Sequence, residues 1–479
     1  MRARNERYLA SLFPTSPKLA ISPKIEMTML PAAKHAGSES PPPEFTWREF
    51  AVFLLTTAAE IEHSLMVQYL YAGWSLGGAQ VPEEHQEAVT KWRQIILGIA
   101  KEEMGHLVTV QNVIRFLGAP LALDREDYPW DSVLAPYPFA LERLTRTTLA
   151  KYIVTESPET WPDDVSVGER KEIERLAAGP DEQKINRVGA LYKKLIELIG
   201  DPSKLAASEF HPESYPTQSS WDEYARGYGK GARGSSVAGT TKTPDVLVMR
   251  AASRADAVAA LSAVAEQGEA PDKTAAQDDE SSHFRRFLTV FRHFPKDGAW
   301  EATIPVPSNP VAPGLPAAKG QSQIEDDLAG LWANIFNIRY RMLLSYLAHS
   351  HTSSGEGALT RRQGVVINRM FAEMYTLRAV AAVLSRHPLN AAGEQRAAAP
   401  FQMPYSLQLP DSDAAFWRLH IDLLAACRTL LKDPRIALGT DAEYAATLLS
   451  LDATAAEEMR LYADAATVRT GHRRSTGAA

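Results

Sequence analysis

The sequence predicts an all-α fold on three observations. Apolar residues recur at every third or fourth position through most of the chain, which is the spacing of one helix face. A capping pattern begins the first of these segments, and glycine or proline residues end several of them. The alternation of apolar and polar residues that half-buried strands need is almost absent. We therefore predict a helical bundle with additional C-terminal helices and long loop insertions.

The composition excludes several classes of protein. A net charge of −7 over 479 residues leaves no basic excess for nucleic-acid binding. Cys427 is the sole cysteine, which excludes an internal disulfide and a thiolate metal cluster. No apolar run reaches bilayer-spanning length, and the first residues lack the apolar core of a secretory signal. We expect a cytoplasmic protein without nucleic-acid or membrane contacts, and its oligomeric state stays open.

The chain divides into four predicted parts. Residues 1–45 are rich in proline, which predicts an extended or disordered arm. Residues 46–297 are predicted to form the bundle with its loop insertions. A proline-rich linker, 298–323, then leads to a C-terminal helical region, 324–479, that packs on the bundle.

The predicted helices begin and end at local signals. The first has Thr46 as its N-cap with Glu49 reaching back, and Gly77-Gly78 ends it. The other bundle helices are expected at about 82–117, 141–155, 182–199, 253–268 and 276–294. The C-terminal helices are expected at about 324–349, 360–386, 411–431 and 441–467. The loops 121–138 and 202–244 are candidates for a lid or a pocket wall.

One helix stripe carries two ionisable residues among aliphatic neighbours. Glu103 and His106 lie three positions apart on the face that includes Ile96, Ile99 and Val110, so their side chains point the same way. A carboxylate and an imidazole buried together need a partner that offsets the loss of water, and a metal ion provides one.

A second Glu-x-x-His pair, Glu280 with His283, also faces inward on its helix. A third match, Glu60 with His63, lies off the apolar stripe. About one match is expected by chance in such a chain. The two inward placements therefore carry more weight than the number of matches.

The other carboxylates of a two-metal site are also present. Carboxylate-bridged di-iron bundles take one Glu from each of two helices and a Glu-x-x-His pair from each of the other two. Glu62 lies on the stripe of the first helix, and Glu269, with Glu266 as its alternative, ends the helix before Glu280. The predicted metal ligands are therefore Glu62, Glu103, His106, Glu269 (or Glu266), Glu280 and His283. Oxygen and nitrogen ligands suit two iron ions, and manganese accepts the same set.

Three further polar residues have simpler interpretations. Glu156, which precedes Ser157-Pro158, is interpreted as a helix-end residue that is able to reach the pocket. His349 and His351 lie at a helix end before a Ser/Gly loop, and we expect both to be solvated.

Four stretches resemble a known family: AAEIEHSLMVQYLYA, ILGIAKEEMGHLVTVQNVIRFLGAP, ALSAVAEQGEA and SSHFRRF. They are similar to the ferritin-like domain of iminopyruvate (iminophenyl-pyruvate) dimer synthases, the enzymes named for the violacein and rebeccamycin indole pathways. The resemblance extends from Phe45 to Leu409. It implies a ferritin-like four-helix bundle in which the predicted ligands fall on the positions of a di-iron site. It also implies an amino-acid-derived aromatic substrate in secondary metabolism.

We therefore expect a non-heme di-iron oxidase or oxygenase that uses O2 on a small substrate of this class, with dimer synthase-like chemistry as one form. The alternative is a ferritin-like ferroxidase or a manganese-type protein that consumes peroxide. The helices after Gly320 exceed what iron storage needs, which favours the enzyme.

Overall fold

The computed structural model describes residues 40–130, 136–180, 185–219, 246, 248–269, 282–296, 298–314, 317–351, 359–403 and 409–476. Within these ranges the protein is all-α, as predicted. Its helices are α1 (Trp47–Ser75), α2 (Gln86–Phe116), α3 (Arg146–Thr155), α4 (Val167–Ala178), α5 (Gly189–Gly200), α6 (Arg254–Glu269), α7 (His283–His293), α8 (Asp327–Ser350), α9 (Leu359–Leu384), α10 (Asp413–Leu431), α11 (Pro434–Ala437) and α12 (Ala442–Thr476). Two short strands, β1 (Pro310–Val311) and β2 (Ser322–Gln323), pair in parallel.

Two long helices, α1 and α2, form the first half of the bundle and pack along each other. α1 begins at the predicted capping box, in which the Thr46 and Glu49 side chains each accept a hydrogen bond from the other residue's backbone N–H. α1 is long and apolar enough to cross a membrane. However, 72% of its most apolar window is buried inside the fold, as in the core helix of a globular protein.

The second half of the bundle consists of α3 and α7, which pack against each other. The predicted start of α3 at Leu141 was too early, because Thr145 and Thr148 form a capping box that begins the helix at Arg146. The sequence analysis missed α4, which packs on α3 but buries only Ile173 and Ala177. The predicted start of the last bundle helix at residue 276 lies outside the described residues.

A second pair of helices, α5 and α6, covers the bundle. They pack against each other, α5 also contacts α1, and α6 also contacts α2. The predicted irregular segment after α5 contains two 3₁₀ helices, Ala207–Glu209 and Pro212–Thr217. Much of the remainder of the two candidate lid loops lies outside the described residues, so their role as a lid stays a prediction.

The C-terminal helices pack as two pairs, α8 with α9 and α10 with α12, and α8 contacts α10. A charged cluster lies inside this region, where Arg339 of α8 is 2% exposed. Its Nη1 lies 3.2 Å from Oε1 of Glu373 on α9, and its Nη2 donates to Asp452 on α12. The three helices are therefore joined by a buried ion cluster, which we call the Arg339 cluster.

The expectation that His349 and His351 are solvated was wrong, because both are buried. The His349 Nε2 lies 2.7 Å from Oδ1 of Asp413, and the His351 Nε2 lies 3.2 Å from Oδ1 of Asn112. These partners belong to α10 and α2, which are distant in sequence. The local pattern around the two histidines therefore contained no sign of them.

The predicted linker is packed on the bundle. Its residues 298–314 and 317–323, which we call the strap, receive hydrogen bonds from several bundle residues. The Tyr71 hydroxyl donates to the Pro307 carbonyl, and the Tyr128 hydroxyl donates to the Pro310 carbonyl. One apolar core extends from Phe50 in α1 to Ala463 in α12. The bundle and the C-terminal helices are therefore continuous.

Candidate metal centre

Three helices bring four predicted ligands to one buried point. Glu62 lies on α1, Glu103 and His106 lie on α2, and His283 is the first residue of α7. The Ser282 side chain caps α7 by accepting from the Arg285 N–H, which fixes the start of the helix at His283. All four predicted ligands are at most 2% exposed. Helical spacing thus explains the Glu103–His106 pair, and tertiary packing adds the other two.

Glu103 stands between the two imidazoles. Its Oε2 lies 3.0 Å from the His106 Nδ1, and its Oε1 lies 2.9 Å from the His283 Nδ1. Oε2 of Glu62 lies 3.3 Å from the same His106 Nδ1. The ligand atoms of Glu103, His106 and His283 lie within 4.8 Å of one another. A carboxylate in this position is able to bridge two metal ions.

Glu156 joins this group from the C-terminus of α3. Its Oε2 lies 3.8 Å from the His283 Nδ1, and its Oε1 accepts a hydrogen bond of 2.7 Å from the Tyr69 hydroxyl. It is both the C-cap of α3 and a wall of the cavity. The helical stripe of Leu149, Tyr152, Ile153 and Glu156 was the sequence signal that places it inward. We call Glu62, Glu103, His106, Glu156 and His283 the buried cluster.

The other predicted ligands have different positions. The Glu269 carboxylate lies in the wall of the same cavity and accepts a hydrogen bond of 2.8 Å from the Gly189 N–H. A Cβ at Gly189 would lie 2.1 Å from that carboxylate, so this contact requires glycine. Glu266 is exposed, and Glu280 lies outside the described residues. The six-ligand set therefore stays a prediction.

The outer nitrogen of each histidine has a different partner. The His106 Nε2 lies 2.8 Å from Oε1 of Gln267 on α6, whereas the His283 Nε2 lies 3.0 Å from Oε2 of Glu102. Glu102 also accepts two hydrogen bonds from Arg286. Both Nδ1 atoms consequently face the Glu103 carboxylate. The sequence analysis overlooked Glu102, because it lies off the stripe of Glu103.

The family model for ferritin-like proteins matches residues 55–292, which extend from within α1 to the last turn of α7. The chain belongs to the ferritin-like family. The resemblance and the ferritin-like fold class predicted from the sequence are thereby confirmed. This ferritin-like domain contains every residue of the buried cluster.

Comparison with curated proteins finds a relative of this chain. The dichlorochromopyrrolate synthase of Lentzea aerocolonigenes is 25% identical to the chain over 359 residues, which cover 68% of this chain and 33% of that protein. The chain thus spans about a third of the length of the relative it matches. The crystal structure of a ferritin like protein from Caulobacter vibrioides is 16% identical, with a TM-score of 0.40, over 71% of this chain and 98% of that chain.

Burial and neighbouring charges have opposing effects on the pKa values of the buried cluster. Burial, together with the neighbouring Glu103, raises the pKa of Glu62 and of Glu156 above the usual carboxyl range. Burial would also raise the pKa of Glu103, but His283 and His106 outweigh it and hold that pKa well below its usual value. Burial lowers the pKa of His283, but Glu103 and Glu102 outweigh it and raise the pKa to about 9. Glu103 is thus the ionised carboxylate between two cationic imidazoles.

Three atoms of the buried cluster indicate that it fits a metal. Oε2 of Glu62, Oε1 of Glu103 and Nδ1 of His283 are buried without a hydrogen bond among the described residues. The last two are close but are not aligned for a hydrogen bond. Unsatisfied buried polar atoms are costly, and metal ligation would satisfy them. Glu62, Glu103 and His106 line a small cavity, and the oxygen and nitrogen donors of the buried cluster suit iron or manganese.

Metal affinity is expected to rise as the pH rises towards the His283 pKa of about 9. A protonated imidazole cannot ligate a metal, so binding must release its proton, and a falling pH opposes that release. Titration with Mn²⁺ in weakly buffered solution, at pH values from about 6 to about 9, would measure both the affinity and the protons released. An affinity that stays constant or falls over this range would contradict the assignment.

Proposed function

We propose that the chain is a non-heme di-metal oxidoreductase that uses O2 to oxidise a small, amino-acid-derived aromatic substrate in secondary metabolism. The observation that carries the proposal is the position of Glu103, whose two carboxylate oxygens each face an imidazole Nδ1. A buried carboxylate placed between two histidines is the arrangement that carboxylate-bridged bundles use.

In this proposal Glu62 and His106 would hold one metal ion, Glu156 and His283 would hold the other, and Glu103 would be shared between them. Glu280, which is predicted as a further ligand from its Glu-x-x-His spacing with His283, lies outside the described residues. Two ferrous ions held in this way supply the capacity to reduce O2, and manganese fits the same donors. The relative named dichlorochromopyrrolate synthase supports a role in secondary metabolism.

Two tyrosines hold the terminal carboxylates in place. The Tyr192 hydroxyl donates a hydrogen bond of 2.5 Å to Oε1 of Glu62, and the Tyr69 hydroxyl donates to Oε1 of Glu156. Each carboxylate thereby keeps its Oε2 towards the cavity. Leu65, Val188 and Val264 line the same cavity and limit access of water to it.

A second, narrow cavity marks the position of the proposed substrate pocket. It shares Leu65 with the metal cavity, and Trp130, Tyr137 and Phe139 line it. The Tyr137 hydroxyl and Oε1 of Gln68 are buried without a hydrogen bond among the described residues. As it stands this cavity has room for little more than a water molecule, so a flat aromatic substrate would enter only if these rings moved apart. Its carbonyl or carboxylate would accept from Tyr137, and its N–H would donate to Gln68.

Protein loaded anaerobically with Fe²⁺ tests the function directly. With an aromatic imino acid generated from tryptophan or phenylalanine by an amino acid oxidase and catalase, we expect O2 uptake to exceed that of the oxidase and catalase alone. The imino acid from alanine, which lacks the ring, is the matched control and should have little effect. O2 uptake that follows added Fe²⁺ alone and yields a mineral core would instead support the ferroxidase alternative.

Removal of one hydroxyl tests the pocket. Tyr137→Phe is expected to raise KM for the aromatic substrate about two- to tenfold with little change in kcat, because one hydrogen bond is lost on binding. Steady-state O2 uptake measures both constants. The matched control is Tyr375→Phe, since Tyr375 is 64% exposed and lies outside the pocket. An unchanged KM in Tyr137→Phe would exclude Tyr137 as a substrate contact.

A further inference from the structure

We propose that the two metal positions differ in affinity and fill in order, the position beside His283 first. The inference rests on the proposed di-metal function and adds that the two metal positions have unequal affinities. It comes from the outer hydrogen-bond partners of the two histidines, which are a carboxylate for His283 and a neutral amide for His106.

Among the described residues, the inner ligands of the two positions are matched in type. Each position has one imidazole Nδ1, one oxygen of the shared Glu103, and one terminal carboxylate. Glu62 serves the position beside His106, and Glu156 serves the position beside His283. Both terminal carboxylates are fixed by a tyrosine hydroxyl. Among the described residues, the main chemical difference therefore lies in the hydrogen-bond partner of the outer nitrogen of each histidine.

On the His283 side, the outer partner is a charged carboxylate held in a fixed position. Oε2 of Glu102 lies 3.0 Å from the His283 Nε2, and Arg286 donates one hydrogen bond to each Glu102 oxygen. Glu102 and Arg286 are 5% and 8% exposed, so the pair is shielded from water. A carboxylate that accepts the outer N–H makes the inner nitrogen a stronger metal ligand.

On the His106 side, the outer partner is the amide oxygen of Gln267, at 2.8 Å from Nε2. An amide oxygen orients the ring as well as a carboxylate does, but it carries no net charge. The partly exposed Gln267 also lies on α6, outside the α1, α2, α3 and α7 helices that supply the inner ligands. Changes of such outer partners alter metal affinity by about 10- to 100-fold, which is the difference expected between the two positions.

The experiment is a Mn²⁺ titration of the full chain, with free Mn²⁺ followed by electron paramagnetic resonance. Wild type is expected to bind about two ions in two phases separated by about 10- to 100-fold in affinity. His283→Ala should remove the tight phase, and His106→Ala should remove the weak phase. Two equal phases, or loss of the tight phase in His106→Ala, would overturn the inference. No binding at all by wild type would instead overturn the proposed di-metal function.

Two reciprocal variants test the cause. Glu102→Gln keeps a hydrogen-bond acceptor for His283 but removes its charge, and we expect the tight phase to weaken about tenfold or more. Gln267→Glu adds the charge on the other side, and we expect the weak phase to tighten towards the tight one. Because Gln267→Glu leaves the Glu102–Arg286 pair intact, it still decides the question if Glu102→Gln fails to fold. An unchanged weak phase in folded Gln267→Glu would exclude the outer partner as the cause.

Discussion

Glu103→Gln is expected to reduce the bound metal from about two ions per chain to well below one. Glu103 is the one residue of the buried cluster that faces both histidines, at 3.0 Å from His106 and 2.9 Å from His283. An amide offers one weak oxygen donor, cannot bridge two cations, and leaves the imidazoles without their anionic neighbour. Metal analysis of protein expressed in iron-rich medium measures the loss, and O2 uptake should fall with it.

Two variants sharpen this result. Glu62→Gln should weaken chiefly the position beside His106 and retain about one ion, because Glu62 faces only that histidine. Glu266→Gln should retain the wild-type amount, since Glu266 is exposed at the end of α6. The two-metal assignment fails if Glu103→Gln binds as much iron or manganese as the wild type.

Arg339→Met is expected to lower the free energy of unfolding by about 3–5 kcal/mol. The substitution leaves Glu373 and Asp452, which are 7% and 3% exposed, as buried carboxylates without a cation. Burial already raises the pKa of Glu373 although the Arg339 guanidinium lies beside it. Loss of that guanidinium leaves negative charge that the interior cannot solvate. Urea unfolding followed by circular dichroism measures the change.

Matched variants separate the unpaired charges from the lost packing. Arg435→Met removes an arginine whose side chain is 51% exposed and pairs with Asp433, and it should leave the unfolding midpoint nearly unchanged. Changing Arg339, Glu373 and Asp452 together to Met, Leu and Leu should recover most of the loss, because no buried charge then remains. If Arg339→Met alone behaves like Arg435→Met, the Arg339 cluster contributes little to stability.

Much of the helical architecture follows from local sequence. The Thr46 capping box, the apolar stripes and the glycine and proline stops place α1, α2, α6, α8, α9 and α10 to within a few residues, whereas α11 was not predicted and α12 extends to Thr476 instead of ending at 467. The start of α3 was misplaced because the apolar pattern begins at Leu141, while the hydrogen-bonding threonines that nucleate the helix come later. α4 was missed because it buries few side chains, so its sequence has no apolar stripe.

The candidate site was predictable only where its residues are neighbours on one helix. Glu103 and His106 are neighbours on one helix, so their spacing reveals them, and His283 has a similar local signal. Glu156, Glu102 and Gln267 join the site through the packing of α3, α2 and α6. The choice between Glu269 and Glu266 considered only the end of α6. No local pattern showed that α3 approaches His283 more closely than α6 does.

Residues that follow the ferritin-like match cover part of α1. Trp74 at the end of α1 stacks on Phe401, with ring centroids 5.4 Å apart, and the Tyr71 hydroxyl is satisfied by Pro307. Both partners come after residue 292, where the family match ends. A chain cut at residue 292 would lose both partners, which would uncover the Trp74 ring and leave the Tyr71 hydroxyl without the Pro307 acceptor.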